Sequence, residues 1–73
     1  MAPDTTTTGA EWISAFAARL GVEPPDDATI ATLLDLAGVA AHASERTAAP
    51  IACWLVGSTR ASPADALEVA RSV

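Results

Sequence analysis

An all-α fold is predicted for this 73-residue chain by three features of its sequence. Apolar residues recur at spacings of three and four along each long segment, the period of a helix with one buried face. Threonine, aspartate and serine stand where helices would start, ready to accept a free backbone amide. No segment alternates apolar and polar residues as a half-buried strand would. The expected architecture is a compact single domain of four helices, three long and one short at the C-terminal end. It spans residues 8–73 behind a polar tail, residues 1–7, expected to be disordered.

The first helix is expected over residues 8–20. Thr8 followed by Glu11 forms a capping box in which each side chain satisfies an amide of the first turn. Trp12, Ile13, Phe16, Ala17 and Leu20 then follow at helical spacing. Gly21 suits the position just past the end, where positive φ is needed. Val22-Glu23-Pro24-Pro25 reads as an extended linker, because two prolines remove donors and fix φ. Asp26 or Asp27 caps the second helix, expected over 27–45. Its apolar residues, from Ile30 through Leu33, Leu34, Leu36 and Ala37 to Val39, Ala40 and Ala41, cover an unusually wide surface and place it centrally.

The third helix is expected over 48–60, with Pro50 tolerated in its first turn. Ile51, Trp54, Leu55 and Ser58 share one face, widened by Ala52, Val56 and Cys53. Ser62-Pro63 with Asp65 marks the start of the last helix, over 63–71, docked through Leu67 and either Val69 or Ala70. Trp12 and Trp54 are expected to be core anchors. The helices should form an orthogonal or loosely antiparallel array around the second.

Composition narrows the function classes. Half of the residues are hydrophobic, but 18 are alanine, so the effective core is small. A chain of this size buries about 60% of its unfolded surface. It has no cysteine pair to staple it. The net charge is −5, with four dispersed arginines and no lysine. Nucleic-acid binding needs a clustered basic face and is not expected. An anionic membrane surface is disfavoured for the same reason, and no apolar run approaches the ~20 residues of a span. One cysteine and the absence of a basic-then-apolar leader point to the cytoplasm. Alanine-rich, lysine-free usage suggests a high-GC bacterial genome.

The chemistry-bearing residues collect at the junction of the second and third helices. Asp35, Gly38, Val39, His42 and Arg46 fall on one stripe. A mid-helix glycine costs about 1 kcal/mol against alanine, which suggests close approach of another element or of a ligand. The plain reading is helix packing within the domain; the sharper one is a surface for a partner or small anion. His42 could shuttle protons, but a general base needs a nucleophile or substrate pocket beside it. Its plainer role is a hydrogen bond within the junction or contact with Glu45 or Arg46. Arg46 suits a helix C-terminus electrostatically and could also clamp a carboxylate or phosphate. His42 and Cys53 match no zinc spacing, so no metal and no cofactor are expected. Cys53 reads as a buried structural thiol. No catalytic set is assembled.

Leu34-Asp35-Leu36-Ala37, Val39-Ala40, His42, Arg46, Ala48-Ala49-Pro50 and Trp54-Leu55-Val56-Gly57, with Glu11-Trp12 and Leu20-Gly21, resemble a small actinobacterial domain family of undefined activity. That family occurs alone and as a C-terminal extension of molybdenum-cofactor guanylyltransferases. The likeness covers roughly residues 10–72, and its most specific part is the His…Arg…Ala-Ala-Pro run. Ala41, Ser44 and Thr47 depart from the family pattern. The chain lacks the glycine-rich nucleotide loop of the transferase, so the resemblance implies an accessory role rather than nucleotide chemistry. Acyl carrier proteins are also small acidic four-helix domains, but their second helix starts with a phosphopantetheine serine. Here that start is Asp26-Asp27-Ala28, with no hydroxyl to acylate.

The resulting expectation is a non-enzymatic accessory or protein-interaction domain, linked through the resemblance to molybdenum-cofactor biosynthesis. Its contact surface would be Asp35, Gly38, His42, Arg46 and Pro50, and its partner another protein or itself. The alternatives are a homodimeric structural module without a ligand, and a small enzyme using His42 as base with Arg46 as anion clamp. The junction itself is expected to be a closed, water-excluding joint.

Overall fold

Three of the four helices start where a capping residue stands, and the third begins without a side-chain cap. The structure, a computed structural model, describes residues 8–73, so the expected disorder of residues 1–7 lies outside the described residues. Four helices follow in order: α1 (Gly9–Leu20), α2 (Asp27–Ala43), α3 (Ala48–Gly57) and α4 (Pro63–Arg71). Among the described residues there is no strand. The fold is an all-α single domain.

The capping box of α1 is complete. The Glu11 N–H donates to Thr8 Oγ1 at 3.1 Å, and the Thr8 N–H donates to Glu11 Oε1 at 2.9 Å. Gly21, at φ 77°, closes the helix. Its N–H donates to the Ala18 carbonyl, and that of Val22 to the Ala17 carbonyl. This double closure needs a left-handed residue, which glycine supplies without a Cβ clash. Asp26, rather than Asp27, caps α2 by accepting from the Thr29 N–H at 2.8 Å. Ser62 caps α4 by accepting from the Asp65 N–H at 3.1 Å, with Pro63 at the first helical position.

Two helices end earlier than expected. α2 stops at Ala43, not 45, because Ser44 turns out of the helix (φ −144°, ψ −94°) while its hydroxyl donates to the Ala40 carbonyl at 2.8 Å. Serine offers the backbone this alternative partner and so favours termini over interiors. α3 stops at Gly57, not 60, where the Ser58 and Thr59 hydroxyls donate to the Trp54 and Val56 carbonyls.

The central helix is α2, as its wide apolar surface requires: it packs against both α3 and α4. α1 makes no packing of comparable extent with any other helix. The described chain measures 43 × 25 × 18 Å.

The core is smaller than the list of large side chains suggests. Ala17, Leu36 and Leu67 are the buried apolar residues, with Leu36 only 2% exposed. The expected anchors lie outside it. Trp12 is 58% exposed and Trp54 70%, and Phe16, Leu20, Leu34, Ile51, Leu55 and Val69 are also exposed. The reason is clearest on α3. Its bulky Ile51 and Trp54 point to solvent, while Ala49, Ala52, Cys53 and Val56 are half-buried. Small side chains let two helix axes approach closely, and the Cys53 thiol lies 3.9 Å from the Leu33 backbone carbonyl across the joint. The α2–α3 contact is therefore made by small residues that are half-buried at most, so the joint is not the closed one expected, and the larger residues remain wet.

Candidate functional site

The outward face of α2 carries the predicted stripe as far as His42. One turn of helix advances 3.6 residues, so Ala31, Asp35, Gly38 and His42 lie about 100–160° around the helix from Leu36, the side chain α2 buries most deeply. Asp35 and His42 are exposed and Gly38 half-buried. Arg46 does not continue the stripe. The turn at Ser44 carries it off the helix axis into the connection to α3, where its carbonyl accepts from the Ala49 N–H at 3.1 Å. Its side chain is exposed, as is Pro50 in the first turn of α3. The structure thus brings Asp35, Gly38 and His42 onto one face, and sets Arg46 and Pro50 on the turn beyond it.

Gly38 is not where two helices of the domain meet. A Cβ built there would find no atom within 4 Å. Packing within the domain therefore does not account for this glycine. The position is a flat, open place in the middle of an exposed helical face.

Concave surfaces lie elsewhere, and two of them are mainly apolar. A groove of about 300 Å³ opens between α3 and α4 above Leu36, lined by Leu55, Val56, Ala66, Val69 and Ala70 among others; neither His42 nor Arg46 contributes to it. A second hollow of about 330 Å³ runs past Val39, Ala43, Ala52 and Val73, again without His42. Among the described residues no group of three or more His, Cys, Asp or Glu is placed to hold a metal ion. Cys53 is half-buried against α2. No described helix is long and apolar enough to cross a membrane.

Electrostatics are local. Hydrogen bonding from Thr29, from its side chain first and its N–H second, holds the Asp26 carboxyl below the usual aspartate value. Glu68 and Arg71 pair at 3.3 Å on the solvent side of α4, where such pairs contribute little.

What sequence reasoning missed is the exposed apolar surface. Its signal was present: α3 is apolar all round, and a ten-residue helix can bury only part of that circumference against one neighbour.

The chain belongs to the domain-of-unknown-function family DUF6457, whose model matches residues 4–73. No curated protein matches the chain, and no solved structure does.

Proposed function

We propose that this chain is a non-enzymatic accessory domain that works by docking onto another protein, and that its partner belongs to molybdenum-cofactor maturation. The observation that carries the docking role is Trp54. It stands 70% exposed on a face of α3 that bears no charge, one to two turns from Pro50 and the Arg46 connection. Large aromatic side chains in solvent are the residues that anchor protein interfaces. Open Gly38 and exposed Asp35 and His42 supply a flat, polar-rimmed face on α2. The pathway rests on the sequence resemblance of the His42…Arg46…Pro50 run to an extension of cofactor guanylyltransferases.

The test is a pull-down from the native host with the wild-type chain and with Trp54→Ala, His42→Ala and Arg46→Ala. The proposal expects a cofactor-pathway protein to be captured, and Trp54→Ala to weaken capture by about 2 kcal/mol, roughly thirtyfold. Recovery of no such protein, or capture indifferent to all three substitutions, removes it.

A further inference from the structure

We draw no further inference here: the strongest candidate, the apolar groove between α3 and α4 above Leu36, is an unpartnered surface, and nothing in the structure shows what covers it.

Discussion

Leu36 and Gly38 sit two residues apart on α2 and have opposite relations to the fold. Leu36 is nearly sealed from water beneath α3 and α4. Truncating a buried leucine to alanine costs about 2–5 kcal/mol, comparable to the whole stability of a domain this small. Leu36→Ala is therefore expected to unfold the isolated chain or lower its melting point steeply in calorimetry. Gly38 meets nothing within 4 Å of its would-be Cβ. Gly38→Ala should instead stabilise the chain by about 0.5–1 kcal/mol through reduced backbone entropy of the unfolded state, a rise of a few degrees in Tm. A lower Tm for that variant would mean that something in the domain does press on this position. Asp26 gives the pH dependence. Its folded-state carboxyl titrates below its unfolded value because Thr29 donates to it. Its contribution is thus complete above the unfolded value, about pH 4, and is lost as pH falls through the lower, folded one. Asp26→Asn keeps a capping acceptor without the charge. That variant should show a shallower loss of thermal stability between pH 5 and pH 3, a window set by ordinary aspartate titration, in a melting series.

At the scale of elements, what could be read from the sequence is what is decided locally. Thr8 with Glu11, Gly21, Asp26 and Ser62-Pro63 fix helix starts and stops through bonds spanning three to five residues, and each lies where the sequence places it. The end of α2 was harder. Only the Ser44 hydroxyl turning back onto Ala40 distinguishes it from continued helix, and that turn is what separates Arg46 from the His42 stripe. The orientation of α3 was not legible at all. A helix with no polar face carries no period to say which side docks, so the choice passes to the shape of α2. That shape accepts Ala52 and Cys53 and leaves Trp54 outside. Trp54→Ala should therefore change stability by less than about 0.5 kcal/mol, whereas Ala52→Asp, which sets a charge on the half-buried side of α3 facing α2, should cost about 1–3 kcal/mol. Chemical denaturation of the two variants side by side checks this. Equal costs would contradict the assigned face.

For the whole molecule, the sequence supplied the class and the central helix, and the structure supplied the distribution of apolar surface. Trp12, Phe16 and Leu20 on α1, and Ile51 and Trp54 on the outer face of α3, have no element among the described residues to cover them. The two tryptophans report this division directly. The account's central claim is that α2 meets α3 through small side chains and leaves the aromatic ones in water. It is tested most directly by the fluorescence of Trp54 alone, in a Trp12→Phe chain at low concentration. The account expects emission close to that of free tryptophan and acrylamide quenching nearly as efficient. Blue-shifted emission with strong protection from quencher, in a chain shown to be monomeric, would place Trp54 inside the domain and contradict it.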